Sequence, residues 1–94
     1  MNEMWLVRSS SVLSRAVGSD VLLTAPGRED VVRLAGTAGT VWALLENPQT
    51  IASLVTALSR RYDEARETIA TDVKRLVSEM LEQGWAQAVG DGDD

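Results

Sequence analysis

Cysteine, histidine and phenylalanine are absent from the sequence, whose only aromatic residues are three tryptophans and one tyrosine. Without Cys no disulfide can form. Without Cys and His, nucleophilic triads with an imidazole base and most zinc or other transition-metal sites are excluded. With no Phe, aliphatic side chains must fill most of the core, and each Trp is expected at a packing node or an exposed contact.

Long apolar runs and a strong basic excess are also missing. No apolar run approaches the roughly 18 residues that a membrane helix needs, and the amino terminus lacks the basic region and apolar core of a secretory signal. The net charge is −5, and removing the three acids of the carboxyl tail from the 14 in the chain leaves 11 against 9 basic residues. That balance argues against affinity dominated by nucleic-acid phosphates. We therefore expect a cytoplasmic protein with neither a membrane nor a nucleic-acid partner.

Apolar residues make up 45% of the chain, enough for one small folded domain. Three short apolar stretches joined by turn sequences predict an antiparallel meander of strands over 12–17, 20–25 and 30–35. Gly18-Ser19-Asp20 and Pro26-Gly27-Arg28-Glu29 supply the two turns, because Gly tolerates positive φ and Pro fixes it.

Apolar residues at helical spacing predict three helices after the strands. Thr37 or Thr40 is expected to cap the first and Thr50 the second. Gly84 is expected to close the third in the left-handed conformation. The predicted helices cover 37–46, 51–62 and 63–83.

The fold class that this order of elements predicts is α+β. Neither the sheet nor the helices can bury an apolar face alone, so helices packed on a small sheet form the stable arrangement. The result is a winged-helix-like topology: a three-stranded antiparallel sheet, three helices and a short C-terminal strand. The domain is expected over 12–89, after a loose N-terminal segment over 1–11 and before a disordered acidic tail over 90–94.

Candidate catalytic groups are few. The stretch Gly36-Thr37-Ala38-Gly39-Thr40 lacks the G-x-x-x-x-G-K-[ST] pattern of a phosphate loop, and a strand-to-helix turn explains both glycines. The acids at the start of the third helix, and Asp72 and Glu79 further along it, have no His or Cys to form an acid–base pair. We therefore predict no catalytic residue, cofactor or metal site, and a protein that is not an enzyme.

The third predicted strand is the most informative stretch. If it ends the meander, its unpaired N–H and C=O groups face outward. Alternation places Val32 and Leu34 on one face and Val31 and Arg33 on the other. Proteins usually blunt such an edge, for example with charge, but the same edge can also capture a peptide as an added strand. The residues alone leave both interpretations open.

A small winged-helix DNA-binding regulator is the alternative from a different class. The third helix would then be the recognition helix, and its outward side should be rich in basic and amide side chains. It offers Lys74 and Arg75 together with Asp72, Glu79 and Glu82, a mixture that repels phosphate about as much as it attracts it.

A longer succession of residues is more specific than any of these features. It consists of Val21-Leu22-Leu23, Val32-x-Leu34, Gly36-Thr37-Ala38-x-x-Val41-Trp42-x-Leu44-Leu45, Thr50-Ile51-x-x-Leu54-Val55-x-x-Leu58-x-x-x-Tyr62 and Asp72-Val73-x-x-Leu76-Val77-x-x-Met80-x-x-x-Gly84-Trp85. As a whole it resembles the PqqD-like family, the recognition elements that bind leader peptides of ribosomally made, modified peptides (RiPPs). The Trp42 segment and the stand-alone length are most similar to the discrete recognition proteins of lasso-peptide biosynthesis.

The resemblance implies a non-enzymatic protein that binds the leader region of a ribosomal precursor peptide as an added antiparallel strand. It also implies delivery to a transglutaminase-like leader peptidase and an asparagine-synthetase-like macrolactam cyclase. A PqqD-like chaperone of another RiPP, or of the quinone-cofactor (PQQ) pathway, is the alternative of the same type. The family's contact segments map onto Asp30, Val31, Val32, Arg33, Leu34, Asp72, Lys74, Arg75, Leu76, Glu79 and Met80.

A role in the core competes with peptide contact for the apolar members of this set. It is the simpler interpretation for Val32, Leu34, Met80 and their helical neighbours Val73 and Val77. Leu76 lies at the edge of its apolar stripe, where both roles are possible. The remaining residues are either free to serve a ligand or simply solvated: Val31, Arg33, Asp72, Lys74, Arg75 and Glu79.

Overall fold

The computed structural model describes residues 4–25, 27 and 29–90. Its elements confirm the predicted α+β fold, with a three-stranded antiparallel sheet of order β2-β3-β4, three helices and a C-terminal strand. A second, two-stranded sheet pairs β1 with β5. In chain order the elements are β1 (Trp5–Arg8), β2 (Leu13–Val17), β3 (Asp20–Thr24), β4 (Val32–Leu34), α1 (Thr37–Leu44), α2 (Ile51–Arg61), α3 (Arg66–Gln83) and β5 (Ala86–Val89).

The three-stranded sheet has one face in the core and one in solvent. Leu23 and Leu34 are buried on the inner face, where α1 packs against β3 and β4. Val41 and Trp42 of α1 complete this layer, and α2 packs against α3 behind it. The core cluster comprises Leu6, Leu23, Leu34, Val41, Trp42, Leu45, Leu54, Val55, Leu58, Ile69, Val73, Val77, Met80, Trp85 and Ala86.

The turn between β4 and α1 depends on two glycines. Gly36 has a φ of 61°, in the left-handed region that favours glycine. A Cβ on Gly39 would lie 3.3 Å from the Leu34 carbonyl oxygen, a tight contact, so a larger residue here would require β4 or α1 to shift by a few tenths of an ångström. The predicted side-chain cap at Thr37 or Thr40 was wrong, since no side chain among the described residues caps α1; the Thr40 hydroxyl instead donates to the Gly36 carbonyl oxygen.

The start of α2 and the end of α3 follow the prediction. Thr50 Oγ1 accepts a hydrogen bond from the Ser53 N–H at 3.0 Å, and Ser53 Oγ accepts one from the Thr50 N–H at 2.8 Å. These two bonds form a capping box, with Ser in place of the usual Glu or Gln. Gly84 closes α3 with a φ of 80°. The predicted start of α3 at residue 63 was wrong, because the helix begins at Arg66.

Replacing Thr50 by alanine should lower the free energy of unfolding by about 1 kcal/mol, because Thr→Ala removes the oxygen that satisfies an orphan N–H of α2. Urea denaturation followed by circular dichroism measures this loss. Thr68→Ala is the matched control, since Thr68 is exposed on α3 and should tolerate the change without loss. Equal losses for the two variants would contradict a capping role for Thr50.

The expectation of a loose segment over 1–11 was wrong for Trp5–Arg8, which form β1. Leu6 is buried and exchanges backbone hydrogen bonds with Gln49, at 2.7 and 3.1 Å. The strand pairs with β5, near the other end of the sequence. A local pattern holds no sign of such a partner, so the strand could not be predicted from its own residues.

The Arg8 side chain links β1 to α1 through Trp42. Its Nε and Nη2 donate to the Trp42 carbonyl oxygen at 3.1 and 2.6 Å, and its guanidinium carbon lies 4.7 Å from the centroid of the Trp42 ring. Burial lowers the pKa of Arg8, and the nearby Glu46 carboxylate partly opposes this shift. The contact is a cation–π interaction that holds the N-terminal strand on the core.

No helix in the described part of the chain is both long and apolar enough to cross a bilayer. Residues 91–94 of the predicted tail, and Pro26 and Arg28 of the second predicted turn, lie outside the described residues.

Candidate functional site

β4 forms one edge of the three-stranded sheet. On one side it pairs with β3, with Leu23 opposite Val32 and Val21 opposite Leu34. On its other side no strand pairs with it within the residues that the structure describes. The third predicted strand therefore ends the meander, as the sequence suggested.

The β2–β3 hairpin determines which backbone groups of β4 face outward. Its loop has two residues, Gly18 and Ser19, and in such a hairpin the flanking pair, here Val17 and Asp20, is hydrogen-bonded. Along an antiparallel strand, the backbone N–H and C=O groups of successive residues point alternately to one neighbouring strand and to the other. Since those of Asp20 point to β2, those of Val21 and Leu23 point to β4. Their partners Leu34 and Val32 therefore bond toward β3. The N–H and C=O groups of Arg33, and of Val31 one alternation earlier, point to the open edge.

The side chains of these two residues lie on the solvent face of the sheet. Val31 is 54% exposed. Arg33 Nε donates to Oδ2 of Asp20, which lies on the neighbouring strand β3, at 2.7 Å. The ion pair holds Arg33 along the sheet, so neither side chain covers the edge in the way that protects many edge strands.

Replacing Arg33 by alanine should change the free energy of unfolding by no more than about 0.5 kcal/mol, because exposed ion pairs contribute little to stability and the Arg33 side chain is 66% exposed. Thermal and urea unfolding of the variant measure the change. A loss above about 1.5 kcal/mol would show that the ion pair with Asp20 supports the fold.

A shallow cleft of about 10 Å³, room for about one water molecule, lies on the inner side of β4. It joins Asp30 and Val32 to Trp85, the residue that follows α3 across Gly84. The main chain of Trp85 is held at the end of α3, since its backbone N–H donates to the Met80 carbonyl oxygen at 2.9 Å. The other lining residues are Val12, Leu23, Thr24 and Ala25. The cleft is a mostly apolar depression with one carboxylate beside the open edge.

The outward side of α3 carries mixed charge. Lys74, Arg75 and Glu79 are exposed, whereas Asp72 and Leu76 are half-buried. Arg75 Nη2 lies 3.3 Å from Asp72 Oδ1, one turn away on the same helix. Lys74 forms no hydrogen bond or ion pair with any residue that the structure describes. With respect to the described part of the chain, this side of the helix therefore offers the unpaired cation of Lys74 beside a local ion pair.

Two of the predicted contact residues belong to the core. Leu34 is 6% exposed and Met80 1%, so their side chains support the surface, and Leu34 bonds its backbone to β3. Val32 keeps part of its side chain at the cleft. Sequence reasoning missed Trp85 and Val12 as cleft residues. The aromatic directly after the helix-closing Gly84 was a usable signal for the first; Val12 carried none.

Together the fold and the edge define a small winged-helix-like α+β domain whose strand β4 has one side without a partner strand among the described residues, beside an apolar cleft. The chain belongs to the PqqD family: the family model described as Coenzyme PQQ synthesis protein D matches residues 20–86. The match begins at β3 and ends at the first residue of β5, so it contains β4, all three helices and Trp85.

Among solved structures, the chain is similar to TbiB1, determined in complex with the TbiA(beta) leader peptide. The TM-score is 0.78 with 19% sequence identity, over 94% of this chain and 98% of that one. At this identity the likeness establishes the shared fold. None of the curated proteins compared with the chain matches it significantly.

Proposed function

We propose that this protein is a RiPP recognition element that binds the leader region of a ribosomal precursor peptide as a strand added antiparallel to β4. The observation that carries the proposal is the open edge of β4, where the register directs the N–H and C=O groups of Arg33 outward. The same alternation, continued one residue before the strand, directs those of Val31 outward too. Strand addition uses such groups for affinity and neighbouring pockets for specificity.

Membership of the PqqD family and the fold shared with TbiB1, a protein bound to a leader peptide, support this proposal. The sequence also lacks the His and Cys that most acid–base and nucleophilic sites use, so the proposed role is binding and delivery without catalysis.

Affinity and specificity have separate sources in this arrangement. Each backbone hydrogen bond at the edge contributes about 0.5–1.5 kcal/mol and is indifferent to the peptide's sequence. Peptide side chains directed inward would lie against Asp30, Val32 and Trp85 at the mouth of the cleft, which itself has room for only about one water molecule. Lys74, and Arg75 if it leaves Asp72, would attract acidic residues of the leader.

The pathway that we propose is lasso-peptide biosynthesis. The protein would hold the precursor by its leader and deliver it to a transglutaminase-like leader peptidase and then to an asparagine-synthetase-like macrolactam cyclase. A chaperone of the PQQ precursor is the second candidate, favoured by the description of the matching family. The two candidate functions differ in the peptide that is bound, but both use the open edge of β4.

Fluorescence polarisation with labelled synthetic peptides tests the proposal. The probe is the leader of the precursor encoded beside this chain's gene, with a scrambled leader, a PQQ precursor peptide and a DNA duplex as comparisons. We expect saturable binding of the leader alone, which persists when salt is raised to about 0.3 M because backbone bonds and apolar contacts carry it. Binding to the duplex that collapses with salt would instead support a DNA-binding regulator. Absence of leader binding would contradict the proposal.

A further inference from the structure

The solvent face of the sheet carries an apolar concavity that the edge alone does not use. Its volume is about 380 Å³, within the range of ligand-binding sites. Leu13, Leu22 and Val31 contribute one apolar side chain from each of three neighbouring strand segments. Leu13 is 69% exposed, the largest exposure among the bulky apolar residues described. The remaining lining residues are Ser14, Arg15 and Thr24.

The concavity is continuous with the proposed peptide edge. Leu13 stands opposite Thr24 across β2 and β3. The β3–β4 register places Val32 opposite Leu23. Continuing this register by one residue places Val31 opposite Thr24. Leu13, Thr24 and Val31 thus form a row across the sheet that ends at the edge. A peptide strand on β4 would occupy the next place in that row.

The direction of the added strand brings its downstream part to the concavity. An antiparallel peptide passes Leu34 first and leaves the edge at Val31. From there to Leu13 the chain must cross about three strand spacings of about 4.8 Å each. Four or five extended residues, at about 3.3 Å each, cover that distance.

The charges at the concavity indicate what kind of segment fits. Arg15 lines it and forms no hydrogen bond or ion pair with any residue that the structure describes. Arg33, on the same face, is neutralised by Asp20. An apolar side chain would cover Leu13 and Leu22, and a neighbouring carboxylate would meet Arg15.

We infer that this concavity is a second anchoring site for the same leader peptide. It takes a large apolar residue, flanked by an acid, from the segment that lies C-terminal to the added strand. This inference rests on the proposed function and on the antiparallel direction of the added strand. The site extends recognition from the edge of β4 across the outer face of the sheet to β2.

A series of leader peptides shortened from the carboxyl end, each labelled at the amino end, tests this inference by fluorescence polarisation. Leu13→Ser is expected to weaken binding of the full leader about tenfold, because the substitution removes the leucine-sized apolar surface that the peptide would bury. The same variant should bind the shortened leader, which retains only the strand segment, as tightly as the wild-type protein does. Arg15→Gln should weaken the full leader less, and its effect should shrink with salt.

Val17→Ser is the matched control, because Val17 lies on the same strand and face as Leu13 but does not line the concavity. It should bind both peptides as the wild-type protein does. Equal affinity of Leu13→Ser and wild type for the full leader would overturn the inference, as would equal weakening of both peptides. If the wild-type protein bound neither peptide, the proposed function itself would fail, a result distinct from both of these.

Discussion

Replacing Val31 by proline is expected to weaken leader-peptide binding by at least about tenfold. The substitution removes an N–H that points to the open edge of the sheet, worth about 0.5–1.5 kcal/mol as a hydrogen bond. The pyrrolidine ring also projects toward the incoming strand and disturbs the bonds on either side. Since Val31 lies at an exposed position just before β4, the fold should tolerate the change. Fluorescence polarisation with the labelled leader measures the loss.

Ala16→Pro provides the matched control for this variant. Ala16 lies on β2, at the opposite edge of the same sheet. Its N–H faces away from β3, by the alternation that starts at the bonded pair of Val17 and Asp20. This variant therefore also loses an outward-facing N–H to proline, but at the edge where the added strand is not expected. It should bind the leader as tightly as the wild-type protein does. Weaker binding by Ala16→Pro than by Val31→Pro would show that the added strand pairs with β2 instead of β4.

Replacing Trp42 by alanine should lower the free energy of unfolding by about 3–5 kcal/mol. Trp42 is 2% exposed and belongs to the hydrophobic core cluster. Its loss leaves a cavity and also removes the ring over which the Arg8 guanidinium lies. Because small domains are stable by only about 5–15 kcal/mol in total, the variant should be largely unfolded at moderate urea concentrations.

Trp5→Ala is the control for the loss of a large aromatic side chain. Trp5 lies on β1 and is 36% exposed, so it retains contact with water in the folded state. Its replacement should cost less than half of the Trp42→Ala loss, as measured by urea denaturation followed by circular dichroism. Similar losses would show that the β1–β5 sheet is as important for stability as the core around α1.

The part of the fold that local patterns encode could be predicted from the sequence. The strands of the meander, the Thr50 cap and the Gly84 closure each depend on residues within a few positions of one another. β1 could not be predicted, because its partner β5 lies near the other end of the chain. The start of α3 was misplaced because Asp63 and Glu64 suit the positive end of a helix whether they lie in its first turn or just before it.

The candidate site, like the fold, could be predicted from the sequence only in part. The order of elements was sufficient to predict the open edge, since the last strand of a meander has one free side. The outward direction of the Val31 and Arg33 backbone groups required the hairpin register. The burial of Leu34 and Met80 required the packing of the helices on the sheet. The outer concavity unites Leu13, Leu22 and Val31, which no sequence spacing marks as neighbours.

Amide hydrogen exchange by NMR, with and without the leader peptide, tests strand addition at β4 most directly. In the free protein the N–H groups of Val31 and Arg33 face water and should exchange rapidly, and bound peptide should protect both. The N–H group of Ala16, at the opposite edge and outside the outer concavity, should exchange at an unchanged rate. Leader binding that leaves Val31 and Arg33 unprotected, or that protects Ala16 instead, would contradict the account.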